Sequence, residues 1–228
     1  AVVVGLELAR PLRSASIAID SQVAVLHFER IVGGQRLEQF LPTTPKPLLT
    51  AIYGSLHALT GDWRPIAWAA ILAFGAAIAG VGALAGRVGG PVAAAFAGLA
   101  VLASPTLLFD VGFALATPWA LLGWVAAGLA LSADRPRYGL AGLALLLTTL
   151  ARLETLVLVG VAAGTLVALW LLSRRDPRAR VPRGAWWILL GLTALPVMLV
   201  HDWLLTGDPM FWASVATRYS EGVGAATL

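Results

Sequence analysis

The stretch PIAWAAILAFGAAIAGVGALAG, residues 65–86, runs for 22 positions without a charged side chain and stops at Arg87. A bilayer's hydrocarbon core takes roughly 20 helical residues to cross, so this stretch reads as a transmembrane helix. The same reading extends outward from it. Uncharged apolar runs also occupy 88–109, 111–133, 155–173 and 184–201. A shorter run, Tyr138–Ala151, gains length by using Arg137 and Arg152 as its interfacial ends. The expected spans are therefore about 65–86, 88–109, 111–133, 138–152, 155–173 and 184–205, and the expected fold class is all-α, a multi-pass transmembrane helical bundle.

Composition agrees with lipid as the solvent. Of 228 residues 59% are hydrophobic and 12% charged, and mean hydropathy is +0.83; the charged share is about half that of an ordinary soluble domain. The absence of cysteine excludes a disulfide framework, a thiolate metal site and a cysteine nucleophile. A pI near 10.3 invites a nucleic-acid reading, but the arginines sort by loop, which points to membrane orientation instead. Arg87, the turn Asp134–Arg137 and the segment Arg174–Arg183 together hold eight Arg against two Asp, a net +6, whereas all other positions sum to −2. The positive-inside rule makes the first set cytoplasmic. Residues 7–64, the turns at Asp110 and at Arg152–Glu154, and 206–228, the start of a further loop, then lie outside. The apolar start AVVVGL reads as the tail of a truncated first helix, and the chain as a fragment of a longer membrane protein.

The outer face collects the unusual chemistry. Leu48, Leu49, Ile52, Tyr53, Leu56 and Leu59 recur at helical spacing, Pro47 suits a first turn and Gly61 a terminus, so a helix is expected over about 47–60, lying along the interface. Lys46, the single lysine beside fifteen arginines, stands at its start. There its charge and the helix dipole repel each other unless an anion is present, and with a phosphate the two add. The alternative is a snorkelling lysine.

Asp20, in SASIAIDSQVAVLHFER (14–30), has the chemistry of a general base for an incoming hydroxyl; taken alone it suits a helix N-cap better. Asp110, Arg152 and Glu154 are charged ends of otherwise uncharged runs, which marks either a watery cavity or interfacial anchoring. Arg152 and Glu154 are two apart and share no helix face, so they form no local ion pair if the helix continues through them. In HDWLLTGDPMFW (201–212), Asp202 and Asp208 are further cavity candidates, Gly207–Asp208–Pro209 being first a turn. His27, His57 and His201 have no partner at metal-ligand spacing, and GxSxG, HExxH, Walker A and dinucleotide-binding motifs are absent.

An outer loop carrying Asp20, then VGGQRLEQFLPTTPKPLL (32–49), then GDWRPIAWAAIL (61–72) resembles the membrane glycosyltransferases of the GT-C fold, in particular the bacterial branch with the protein mannosyltransferases and aminoarabinose transferases. ASPTLLFDVGFALATPWALLGWVAAGLAL (103–131), GLALLLTTLARLETLVLVG (142–160) and TGDPMFW (206–212) follow in the order that resemblance requires. The resemblance implies a GT-C-like bundle in the plasma membrane of a bacterium, its active-site face outside. It implies a polyprenyl-phosphate-linked sugar as donor, a glycan, lipid or protein as acceptor, and inversion at the sugar carbon. Asp20 is then the catalytic residue, Lys46 and Arg152 bind the donor phosphate, and no cofactor is obligatory. Ser21 stands where such enzymes often place a second acidic residue, which leaves use of a divalent metal open.

Two other classes compete. A transporter or flippase of lipid-linked sugars would place charges near the midplane on broken helices, whereas here they gather at one face and no inverted repeat is visible. A noncatalytic membrane subunit would leave Asp20 without a role.

Overall fold

The computed structural model describes residues 17–37, 45–174, 181–215 and 217. The expected first-helix tail at 1–6, part of the arginine segment (175–180) and the end of the last loop lie outside the described residues. Among those described, every regular element is helical. They are α1 (Ile19–Val32), α2 (Pro47–Thr60), α3 (Arg64–Leu102), α4 (Pro105–Gly112), α5 (Thr117–Leu131), α6 (Tyr138–Ala151), a 3-10 turn (Leu153–Thr155), α7 (Leu156–Ser173), a 3-10 helix (Arg183–Thr193) and α8 (Ala194–Thr206). Three helical stretches, Arg64–Leu102, Leu153–Ser173 and Arg183–Thr206, are long and apolar enough to cross a membrane.

The first of these reverses on itself. In a straight helix Gly82 and Ala94 would be about 18 Å apart along the axis. Instead a Cβ on Gly82 would lie 3.3 Å from the Ala94 carbonyl oxygen, and one on Gly98 would lie 3.6 Å from Ile78 Cγ2. The reversal is at Gly90, whose φ of 74° and ψ of −170° belong to a region essentially confined to glycine, and Pro91 starts the second arm. Arg87 sits at the tip, so 65–86 and the start of 88–109 are the two arms of a helical hairpin.

The stretches expected to cross as 88–109 and 111–133 are not continuous helices. Pro105 has no N–H to donate and its ring collides with the carbonyl four residues back, so the helix stops. Ser104 caps the next one, its Oγ accepting from the Leu107 N–H at 3.5 Å. A second break follows at Ala114, left-handed at φ 54°, and α4 and α5 meet at a 116° bend. Hydropathy alone did not register either break, because the residues at them are apolar or small.

A core of Val25, Leu49, Tyr53, Ile66, Ala70, Ala120 and Ala151 joins α1, α2, α3, α5 and α6. α1 and α2 approach closely because Gly54 leaves room: a side chain there would occupy the space of the Phe28 ring. These are the two helices whose starts carry Asp20 and Lys46. Farther along, α6 is sandwiched between α5 and the 3-10 helix around Ala127, Ala141, Leu145 and Val159.

Candidate functional site

Asp20 lies in the first turn of α1 and Lys46 is the N-cap residue of α2. Their side chains form an ion pair, Lys46 Nζ donating to Asp20 Oδ2 at 3.0 Å. The N-cap of α1 is Ala18, and the Asp20 carboxylate makes no capping bond. The anion that a lysine at a helix start requires is thus supplied, within the chain, by Asp20.

The helices that carry the pair, α1 and α2, are both tied to the Ala114 carbonyl. Ser21 Oγ and Tyr53 OH both donate to it at 2.8 Å, and Trp119 Nε1 donates to the Tyr53 hydroxyl at 2.8 Å. Ser21, Tyr53 and Ala114 are fully buried. Burial pushes the Tyr53 phenol well above its ordinary range, only partly opposed by the Trp119 N–H, so the group stays a neutral donor. Holding alanine in the left-handed region costs about 1–2 kcal/mol, which two buried hydrogen bonds of about 1 kcal/mol each offset. Ser21, at the position of an expected second acid, is therefore an anchor between α1 and the α4–α5 break.

On its other side Lys46 lines a cavity of about 530 Å³ with Arg152, Glu154, Leu156, Val157 and Trp212. Arg152 is there because α6 ends one residue earlier. Its backbone is extended (φ −143°), its Nη1 donates to Thr117 Oγ1 at 2.9 Å, and its Nε stands 3.7 Å from Glu154 Oε2. The helix does not continue through Arg152, so the condition that separated it from Glu154 is not met and the two form a loose, solvent-screened pair. The cavity joins two cations and one carboxylate to an apolar wall that runs on along the exposed face of α7 through Val157, Leu158 and Val161.

Asp202 and Asp208 do not line this cavity, nor does Asp110, which is half-buried on α4. Asp208 Oδ1 accepts from the Met210 N–H at 2.8 Å and closes the turn. Asp202, fully buried, has Oδ1 3.2 Å from His201 Nδ1 and accepts the Trp212 N–H on Oδ2 at 2.7 Å. It thereby fixes the segment that brings Trp212 to the cavity. His27 packs edge-on against His201 and has no hydrogen-bond partner for either ring nitrogen among the described residues. Burial, then His201 and Lys46, lower its pKa to about 3, so it is neutral. Among the described residues no three His, Cys, Asp or Glu side chains converge as metal ligands would.

Thr117, Trp212, Ser21, Tyr53 and His27 are thus parts of the site or its support beyond those the sequence proposed. All five lay in stretches the sequence had singled out, Ser21 and His27 in 14–30, Tyr53 in 47–60, Thr117 in 103–131 and Trp212 in TGDPMFW, but none had been given the role it has here. Comparison with known protein families, with curated proteins and with solved structures returns no match.

Proposed function

We propose that the chain belongs to an integral membrane glycosyltransferase that moves a sugar from a polyprenyl-phosphate-linked donor to an acceptor hydroxyl at the outer face. The observation that carries this reading is the Asp20–Lys46 pair, 3.0 Å apart, at the edge of a cavity that also holds Arg152 and an apolar wall. Phosphate suits the two cations, and the prenyl chain suits the uncovered face of α7. On donor binding the phosphate takes Lys46 and releases the Asp20 carboxylate, which accepts the proton of the acceptor hydroxyl. The acceptor oxygen forms its bond to the anomeric carbon as the bond to the phosphate oxygen breaks, with one inversion. Lys46, Arg152 and the free N–H groups of α2 stabilise the departing polyprenyl phosphate.

A lipid-sugar transporter is the second reading, favoured by the 116° break between α4 and α5. That break is turned inward, however. Its Ala114 carbonyl is taken up by Ser21 and Tyr53, and none of its residues lines the cavity.

The test is transfer by the purified full-length protein from a labelled polyprenyl-phosphate sugar. Stoichiometric release of polyprenyl phosphate with sugar appearing on an acceptor supports glycosyl transfer. Binding of the lipid with translocation across vesicles and no bond cleavage would replace it by transport.

A further inference from the structure

At the other end of α6 lies a second cation-bearing groove. Arg137 precedes α6 and Arg152 follows it, so the two are separated by a helix about 21 Å long. The groove, about 550 Å³, runs between α5 and α6; Arg87 and Arg137 line it together with Ala130, Leu140, Leu143 and Leu147. Among the described residues no acidic side chain lines it, and Asp134 of the neighbouring turn stays outside. We propose that this groove binds the headgroup phosphate of an anionic phospholipid, with an acyl chain against α6.

Both arginines are placed by the same turn of α5. Arg87 Nη1 donates to the Leu129 carbonyl and to Ser132 Oγ, and the backbone N–H of Arg137 donates to the Ala130 carbonyl at 2.9 Å. Adjacent carbonyls at one helix end therefore hold two cation-bearing residues at one groove. A guanidinium carries five N–H donors in a planar fork, and the bonds of Arg87 use only those on Nη1, so three remain for a phosphate oxygen.

Below the arginines the walls turn apolar. Leu140, Leu143 and Leu147 recur on one face of α6 and are 52%, 45% and 40% exposed. From Arg137 to Leu147 the helix descends about 15 Å, enough to carry the upper part of an acyl chain. Cations above an apolar channel between transmembrane helices match a lipid headgroup followed by its tail. Two arginines with no carboxylate among the described lining residues favour a net negative headgroup, because the ammonium of a zwitterionic one would be repelled. The arginine asymmetry places this end toward the cytoplasm, but the inference needs neither that nor glycosyl transfer.

The experiment titrates the full-length protein in neutral detergent with phosphatidylglycerol or with phosphatidylcholine and counts bound lipid by native mass spectrometry. The wild type should retain phosphatidylglycerol in preference. Arg137→Ala, whose side chain makes no hydrogen bond or ion pair among the described residues, should weaken that retention about fivefold. Leu143→Trp, which fills the groove without altering charge, should weaken it as well, and Arg135→Ala, on the same turn but outside the groove, should not. Equal retention of both lipids, wild-type retention in Arg137→Ala and Leu143→Trp, or an equal loss in Arg135→Ala would each overturn the proposal. Displacement of phosphatidylglycerol by soluble glycerol phosphate at matched concentration would assign the groove to a free anion and overturn the lipid.

Discussion

The imidazoles of His27 and His201 meet edge to face, 6.1 Å between ring centroids, and the inner one, His27, is 1% exposed. The contact joins α1 to α8 beside the Lys46 cavity. With its pKa lowered from 6.5 to about 3, His27 binds fewer protons folded than unfolded between those values. Its stabilising contribution is therefore complete above pH 6.5 and lost as pH falls toward 3, by at most about 1.4 kcal/mol per pH unit. His27→Leu removes both the titration and two unpartnered buried nitrogens. Thermal unfolding in detergent between pH 7 and 4 should fall less steeply for the variant than for the wild type, and a parallel decline would show that another group governs acid sensitivity.

Asp20 and Lys46 are expected to respond in opposite directions to the same ligand. Lys46→Ala should weaken binding of polyprenyl phosphate roughly ten- to hundredfold, as loss of a charge-assisted contact does, while Lys46→Arg keeps part of it. Asp20→Asn removes a competitor for that ammonium, so the same lipid should bind as tightly or a few-fold more tightly. Sugar transfer in Asp20→Asn should nevertheless drop on the order of 10²-fold or more. Weaker lipid binding in Asp20→Asn would contradict the exchange of partners at Lys46.

Thr117 positions Arg152 and is not itself among the described residues that line the cavity. Thr117→Val keeps the shape but removes the acceptor for Nη1. The expected outcome is a rise in donor KM of about fivefold with kcat nearly unchanged. A fall in kcat alone would place Thr117 in the chemical step.

The Ala114 carbonyl gives a stability test independent of function. Tyr53→Phe strands the Trp119 indole N–H and leaves Ser21 as the one side-chain donor to Ala114, costing about 1–3 kcal/mol. Combining it with Ser21→Ala leaves a buried carbonyl without either donor, so the pair should cost more than the sum of the single changes. Additive unfolding midpoints would show that water reaches the carbonyl.

How much of this was legible depended on range. α2 could be read because its start and stop are local: Pro47 in the first turn, and Gly61 left-handed at φ 65°. The hairpin tip at Arg87 was legible because a charge interrupts an apolar run. Pro105 and Ala114 break helices inside uncharged runs that hydropathy counts as continuous, so the bend between α4 and α5 was not. Nothing local to Asp20 or Lys46 announces their pairing, since it joins residues 26 apart in sequence through the packing of α1 on α2. Arg152 reached Glu154 because α6 ended early, and no capping residue marks that end.

The length of α6 has a consequence for the membrane around it. Its 14 residues rise about 21 Å between Arg137 and Arg152, roughly 9 Å short of the hydrocarbon thickness of an ordinary bilayer. On the reading that α6 crosses with Arg137 and Arg152 as its ends, guanidiniums being costly in hydrocarbon, lipid headgroups and water would be drawn inward at both ends and the leaflets dimpled toward each other beside this helix. A phosphate in that dimple already lies below the surrounding surface, level with the cation it meets. The phosphate binding proposed at the two ends of α6 would then be coupled to the local thickness of the bilayer, with thinner membranes favouring both.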